Sequence, residues 1–214
     1  HVIDCEGIHT DPNKVKTITD WSTPIDLHDL RSFLGLTSYY RRFVKGYAAL
    51  ASPLYDLTKK DADFKWGDAQ EQAFCQLKAE LADMTTLSYP ISGAEFLLDT
   101  DASATAIGAV LSQVQDGVER VISFGSRCLS ASEKNYCVTR KELLAVVYFM
   151  CHYKHYLIGA PVTVRSDHGS LRWLKNMKQP TGQVARWIER LAPFNWEILH
   201  RPGRHHQNAD ALSR

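Results

Sequence analysis

The 214-residue sequence lacks several features that would place it in a specialised class of protein. Its five cysteines are odd in number and form no Cys-x-x-Cys pair, which argues against a structural zinc site or a disulfide scaffold and for a reducing compartment. No apolar run is long enough to cross a membrane, and no signal peptide opens the chain, so no membrane partner is expected. The chain begins at His1 without an initiator methionine, and we therefore expect a piece of a longer protein.

A strong net charge is also missing, although charge is unevenly distributed along the chain. The formal net charge is +1 at pH 7. Residues 1–90 carry 10 Lys and Arg against 13 Asp and Glu, whereas residues 91–214 carry 15 against 11. Positive charge is concentrated in residues 165–214, with 9 basic and 4 acidic residues. Such a patch is compatible with a polyanionic partner but does not identify one.

Hydrophobic periodicity divides the chain into two parts at residues 88–93, which contain Pro90 and Gly93. Residues 1–90 are predicted to be mainly helical, with a hairpin and an Asp11-Pro12-Asn13 turn before helices at 26–44, at 53–59 and from residue 68. In residues 91–214 we predict a long helix that starts within 130–140 and ends near residue 159, short helices at 168–176, 183–192 and 208–212, and strands at 95–101, 105–114, 118–125, 161–166 and 195–200. This order predicts the α/β class, with a mixed five-stranded sheet and flanking helices.

Acidic residues occur at the ends of the predicted elements of the second part. Asp101 ends the first strand and Asp167 the fourth, while Glu142 lies early in the long helix and Asp210 in the last one. A crossover fold brings the C-terminal ends of central strands together, so Asp101 and Asp167 should be neighbours, with Glu142 reaching in from the helix. Clustered carboxylates repel one another, and two Mg²⁺ ions would remove that repulsion and create a phosphodiester-hydrolysing centre.

Each of these acids also has a simpler interpretation. Asp99 and Asp101 together could merely begin a polar turn, and any one of the four could be a helix cap or a surface residue. The metal-site hypothesis depends on all four occurring in place together.

A second candidate site is the stretch Tyr39, Tyr40, Arg41 and Arg42 near the end of the first long helix. Aromatic residues interleaved with cations suit base stacking and phosphate contact. The same pattern is also typical of a solvated helix face beside the edge of a core. By itself the stretch does not decide between the two.

Several runs of this sequence together resemble one known family, the C-terminal part of the reverse transcriptase–ribonuclease H segment of gypsy-type LTR retrotransposon Pol polyproteins. The resemblance covers essentially the whole chain. The matching runs are His1-Val2-Ile3, Asp11-Pro12-Asn13-Lys14-Val15, Phe33-Leu34-Gly35-Leu36, Tyr39-Tyr40-Arg41-Arg42-Phe43, Thr100-Asp101-Ala102-Ser103, Gly108-Ala109-Val110-Leu111, Ser126-Arg127, Lys141-Glu142-Leu143-Leu144-Ala145-Val146, Ser166-Asp167-His168 and Asn208-Ala209-Asp210-Ala211-Leu212-Ser213-Arg214.

The resemblance implies a division of labour along the chain. Residues 1–90 would be a thumb/connection-like region of the reverse transcriptase, and residues 91–214 a ribonuclease H domain. Asp101, Glu142, Asp167 and Asp210 would be the catalytic metal ligands for two Mg²⁺ ions, for which Mn²⁺ can substitute. The polymerase's Tyr-x-Asp-Asp motif is absent, so polymerase activity is not expected from this chain.

The resemblance also implies residues that contact nucleic acid. Tyr39, Tyr40, Arg41 and Arg42 would touch the duplex backbone in the thumb-like region. The loop at 174–182 is too short for the extra basic helix of some ribonucleases H, so further contacts would come from Arg172, Lys175, Lys178 and Arg186.

His200 matches a position where the broader ribonuclease H family often has a histidine. It would assist protonation of the leaving group or product release without binding metal. Alternatively, it is a strand-end histidine bonded to a nearby backbone group.

The expected function is therefore a metal-dependent endonuclease that hydrolyses the RNA strand of RNA–DNA hybrids. Its expected partners are the hybrid, the fingers and palm of the reverse transcriptase, and an integrase in the same polyprotein. We expect an intracellular location, in a cytoplasmic virus-like particle or the nucleus. The alternatives are a catalytically silent nucleic-acid-binding module and a structural module, from a domesticated or decayed Pol.

Overall fold

The first part of the chain consists of a short hairpin followed in sequence by four helices. The structure is a computed structural model that describes residues 1–83, 86–169, 171 and 182–201. Strands β1 (Val2–Ile3) and β2 (Ile8–His9) pair antiparallel, which confirms the predicted hairpin. The helices are α1 (Pro12–Thr19), α2 (Leu27–Tyr39), α3 (Tyr47–Asp56) and α4 (Asp68–Ala82), with a 3-10 turn at Arg41–Phe43 between α2 and α3.

Two of the predicted elements in this part were wrong at their start. Asp11-Pro12-Asn13 is the beginning of α1, because the Asp11 carboxylate accepts a hydrogen bond from the backbone N–H of Asn13 and caps the helix. Pro12 then occupies the first helical position, where its missing N–H has no intrahelical partner to lose. The helix predicted at 53–59 begins earlier, at Tyr47, and contains Pro53, because burial of Tyr47, Ala48, Ala51 and Leu54 continues along one face across the proline.

A mixed five-stranded sheet forms the second part and confirms the predicted fold class. The central strand β3 (Phe96–Ala102) pairs antiparallel with β4 (Ala106–Gln115), which pairs antiparallel with β5 (Val118–Cys128). On its other side β3 pairs parallel with β6 (Pro161–Ser166), which pairs parallel with β7 (Asn195–His200). The strand order is therefore β5-β4-β3-β6-β7.

The turn between β4 and β5 follows from two residues. Asp116 and Gly117 both adopt positive φ, at 53° and 76°, which suits the Asp-Gly turn of a tight hairpin. The helices that flank the sheet are α5 (Ala131–Lys134), α6 (Val138–His152), α7 (Lys154–Leu157) and α8 (Gly182–Leu191). The long helix predicted to end near residue 159 is thus two helices, since α6 ends at His152. The helix predicted at 208–212 and most of that predicted at 168–176 lie outside the described residues.

Each part has its own hydrophobic core. In the first part the core lies between the four helices and includes Phe33, Tyr47 and Leu77. In the second part α6 packs its apolar residues, such as Val147, against the sheet around Leu98. The two cores lie on either side of the predicted boundary at residue 90, and the domain limits themselves stay a prediction.

The first part covers the outer edge of β5, which is an edge strand of the sheet. Arg41 Nη2 donates to the backbone oxygen of Ser126 at 2.6 Å, and Arg42 Nη2 donates to that of Ile122 at 3.4 Å. The backbone N–H of Ser88 donates to the oxygen of Val121 at 2.8 Å. These bonds occupy backbone groups that would otherwise remain available for pairing with another strand.

Arg41 is therefore expected to contribute to stability. We predict that Arg41→Met lowers the free energy of unfolding by about 1.5–3 kcal/mol, the range for a hydrogen bond made by a charged group. Arg31→Met, at an exposed position of α2, is the control and should leave stability close to wild type. Urea unfolding of the whole chain measures both. Equal stability of the two variants would show that the bond to β5 contributes nothing.

Candidate metal centre

Three of the four predicted metal ligands lie together at one end of the sheet. Asp101 is near the end of β3, Asp167 follows β6, and Glu142 lies in the second turn of α6. One carboxylate oxygen from each residue can be chosen so that all three atoms lie within 4.8 Å of one another. Asp101 and Glu142 are buried, whereas Asp167 is exposed, so the cluster opens to solvent on the Asp167 side. Asp210, the fourth, lies outside the described residues.

The ionisation of Glu142 reflects this crowding. Burial, followed by the negative charges of Asp101 and Asp167, raises the pKa of Glu142 to about 8. Among the described residues, no hydrogen-bond partner faces its buried Oε2 atom. A buried carboxylate oxygen without a donor, beside two further carboxylates, is the oxygen-only ligand set that Mg²⁺ and other hard divalent cations prefer. The residues present therefore fit the predicted metal.

This pKa has a consequence for stability in the absence of metal. Between pH 4.5 and about 8 the folded protein retains a proton on Glu142 that the unfolded chain has lost. We therefore predict that, in a chelator, stability decreases as the pH rises toward 8, by at most about 1.4 kcal/mol per pH unit from this group. Urea unfolding from pH 5.5 to 8.5 would measure it. Glu142→Gln has no titrating carboxyl at this position, so its free energy of unfolding should depend less on pH. Identical pH slopes in the two proteins would contradict the raised pKa of Glu142.

Asp99, two residues before Asp101, belongs to a separate ion-pair network. Arg165 on β6 donates from Nε to Asp99 Oδ1 at 2.8 Å and from Nη1 to Glu119 Oε2 at 3.0 Å. The bond from Arg165 holds the pKa of Glu119 below its usual range. Asp99 and Arg165 are both buried, so this part of the sheet carries opposite charges that neutralise each other.

The roles of Arg165 and Glu119 were not predicted from the sequence. A signal was present, because an arginine inside the apolar run Val162-Thr163-Val164-Arg165 needs a partner when the strand is buried. Its partner could not be inferred, since Asp99 is 66 residues away in sequence.

His200, at the end of β7, bonds to the backbone of a predicted metal ligand. Its Nε2 atom donates to the backbone oxygen of Asp167 at 2.9 Å. This is the kind of backbone bond that the structural alternative for His200 expects. The catalytic role of His200 stays a prediction.

The predicted nucleic-acid contacts that the structure describes differ in exposure and in bonding partners. The ring of Tyr40 is only 1% exposed and packs in the first core, so it offers no surface to a nucleic acid, and the expectation for this residue needs correction. Tyr39 is 58% exposed and its hydroxyl bonds to His1 Nδ1. Arg41 and Arg42 bond to β5 as described above. Arg186 is exposed on α8, whereas Arg172, Lys175 and Lys178 lie outside the described residues.

The chain is similar in sequence to a known protein family and to Pol polyproteins of retrotransposons. The sequence profile described as "RNase H-like domain found in reverse transcriptase" matches residues 92–194. The chain is 41% identical, over its whole length, to the retrovirus-related Pol polyprotein from transposon 297 of Drosophila melanogaster, of which it covers 20%. It is 35% identical over its whole length to that from transposon gypsy of the same organism, covering 21%. The chain thus spans about a fifth of the length of these relatives, and the predicted resemblance is confirmed.

Solved structures share the fold at lower sequence identity. The foamy viral protease–reverse transcriptase dRH in complex with double-stranded DNA superposes with a TM-score of 0.80 at 19% identity, over 93% of this chain and 36% of that one. The same viral enzyme in complex with an RNA/DNA hybrid superposes with a TM-score of 0.76 at 19% identity, over 93% and 28%. At these identities the likeness concerns the fold alone.

In the described part of the chain, no helix combines the length and apolar character needed to span a membrane.

Proposed function

We propose that this chain hydrolyses the RNA strand of RNA–DNA hybrids. Its residues 92–194 match the RNase H-like family found in reverse transcriptases, and the whole chain aligns with retrotransposon Pol polyproteins. The observation that carries the proposal is the carboxylate cluster of Asp101, Glu142 and Asp167. Carboxylates this close together, two of them buried, cost free energy unless a cation compensates their charge. Their oxygen atoms are the ligands that a hard divalent cation needs.

In this proposal Asp101, Glu142 and Asp167 hold two Mg²⁺ ions, and Asp210 is the fourth ligand. Such ions, when bound, activate the attacking water and stabilise the leaving 3′ oxygen of a phosphodiester. Burial of Asp101 and Glu142 keeps water away from one side of the cluster, while exposed Asp167 leaves the other side open to a substrate backbone. Glu142 gives up its proton when a cation binds, because its carboxylate must be ionised to act as a ligand.

The substrate proposal rests on the chemistry of hybrids. A hybrid would be recognised by its backbone shape and 2′-hydroxyls rather than by its base sequence. Exposed Arg186 is available for backbone contact, and Arg172 and Lys175 are proposed to join it. The chain spans about a fifth of the length of its relatives. We therefore propose that it is accompanied in a longer protein by the fingers and palm of a reverse transcriptase and by an integrase.

A cleavage assay on the whole chain tests the proposal. A fluorescently labelled RNA–DNA hybrid should be cut in the RNA strand in Mg²⁺ or Mn²⁺, and not in a chelator. Single-stranded RNA and duplex DNA are the substrate controls and should remain intact. If folded protein leaves the hybrid intact in both metals, the silent or structural module becomes the better description. Cleavage that persists in the chelator would exclude a metal-dependent mechanism.

A further inference from the structure

One hydrogen bond joins the two elements that carry Glu142 and Asp167. Thr139 Oγ1 and His168 Nε2 are 2.9 Å apart, and both side chains are half-buried. Thr139 lies in the first turn of α6, and His168 directly follows Asp167 after β6. The hydroxyl and the ring nitrogen can each act as donor or acceptor, so the bond forms with either tautomer of the imidazole.

The spacing on α6 makes Thr139 a neighbour of Glu142. The two residues are three apart, which places their side chains on the same face of the helix, one turn from each other. A fixed position for Thr139 therefore fixes the first turns of α6 along the sheet, and with them the backbone from which Glu142 extends.

The segment after β6 is held from a second side as well. His200 Nε2 donates to the backbone oxygen of Asp167 from β7, and the Ser166 hydroxyl accepts a bond from the backbone N–H of His168 at 3.2 Å. The bond between His168 and Thr139 adds a side-chain hydrogen bond from this segment to α6.

We propose that Thr139 and His168 are positioning residues, which hold the carboxylates of Glu142 and Asp167 at the separation at which both bind one divalent cation. This inference rests on the proposed function for its role in catalysis, but the effect on metal binding can be measured alone. Neither residue is required to touch metal or substrate. Outer partners of this kind, which orient ligands, typically change metal affinity or activity by about 10–100-fold when removed.

The test uses the whole chain and four variants. Thr139→Val keeps the shape of threonine and removes its hydroxyl, whereas Thr139→Ser keeps the hydroxyl and is the matched control. His168→Phe keeps a ring and removes the nitrogen, and the fourth variant combines it with Thr139→Val. Calorimetric titration with Mn²⁺ alone gives the metal affinity, and the Mg²⁺ concentration for half-maximal hybrid cleavage gives the functional readout.

We expect Thr139→Val to weaken Mn²⁺ binding by about 10-fold or more and to raise the Mg²⁺ requirement in parallel, with Thr139→Ser near wild type. The KM for hybrid should be unchanged. The double variant should be no worse than either single one, because both remove the same bond. The metal-free thermal midpoint should remain close to wild type in all of them.

Two results would overturn the inference. The first is unchanged Mn²⁺ affinity in both Thr139→Val and His168→Phe, and the second is effects of the single variants that multiply in the double. A lowered metal-free midpoint with unchanged affinity would mean a purely structural bond. Wild-type protein that binds Mn²⁺ without cutting hybrid would refute the proposed function alone, since the calorimetric comparison still stands. Wild-type protein that binds no Mn²⁺ would refute both.

Discussion

Asp101→Asn protein is expected to lose hybrid cleavage by more than about 100-fold, because even an outer partner of a metal ligand is typically worth about 10–100-fold. Asparagine keeps the shape of the side chain but not the charge that attracts a cation. Asp101 lies on the central strand, and one of its carboxylate oxygens is within 4.8 Å of ligand atoms of both Glu142 and Asp167. Initial rates on a labelled hybrid, at saturating Mg²⁺ and again in Mn²⁺, measure the effect.

The fold of this variant should survive, and its metal-free form gives an independent readout. The Asp101 charge is one of the causes that raise the pKa of Glu142, so its removal should move that pKa back toward the ordinary value. Stability in a chelator near pH 8 should therefore equal or exceed that of the wild type. Asp116→Asn is the matched control, since it makes the same change at an exposed turn with positive φ, where asparagine is well tolerated. Wild-type turnover in folded Asp101→Asn protein would rule out the proposed metal centre.

Arg165→Met is expected to destabilise the fold by about 3–5 kcal/mol, the cost of removing one partner of a buried ion pair. The guanidinium is buried and faces two carboxylates, those of Asp99 and Glu119. Without it, Asp99 loses its closer cation, and the Arg201 guanidinium, whose Nη1 atom is 3.8 Å from Asp99 Oδ1, compensates the charge less well. Glu119 is less affected, because its side chain is 33% exposed and can be hydrated. Urea unfolding at neutral pH, with Arg120→Met at an exposed position of β5 as the control, measures the difference.

A second substitution separates loss of charge balance from loss of packing. Replacing a whole buried ion pair by apolar residues is often neutral, so Asp99→Leu in combination with Arg165→Met should recover much of the lost stability. If the double variant is less stable than Arg165→Met alone, Asp99 contributes chiefly through contacts other than this ion pair. Equal stability of Arg165→Met and wild type would mean that the network is not stabilising.

Local signals were sufficient for much of the fold and for the carboxylates that cluster in the candidate metal centre. The strands of the sheet follow from apolar runs, and the hairpin between β4 and β5 follows from Asp116-Gly117, because these patterns depend only on neighbouring residues. Asp101 and Asp167 could be placed together because a crossover sheet has one edge where such strand ends meet. The start of α1 was missed because Asp-Pro-Asn is compatible with both a turn and a capped helix.

The pairing of distant groups was decided only by tertiary structure. Arg41 and Arg42 have the composition of a nucleic-acid contact, yet their guanidinium groups meet backbone oxygens of β5 that are 80 or more residues away in sequence. Tyr40 belongs to the same stretch and is buried, because the end of α2 and the following turn pack into the first core. A single sequence reports which residues are polar or apolar in a repeating pattern. It does not report which partner a long side chain reaches.

By itself, then, the sequence determined the fold class and the identity of the carboxylates at the ends of β3 and β6 and early in α6. Tertiary structure decided that Asp99 pairs with Arg165 while Asp101 joins Glu142 and Asp167, although the two aspartates are two residues apart. The physical reason is that a buried charge must meet either an opposite charge or a cation, and the groups within reach of each carboxylate depend on the packing of strands that are far apart in sequence.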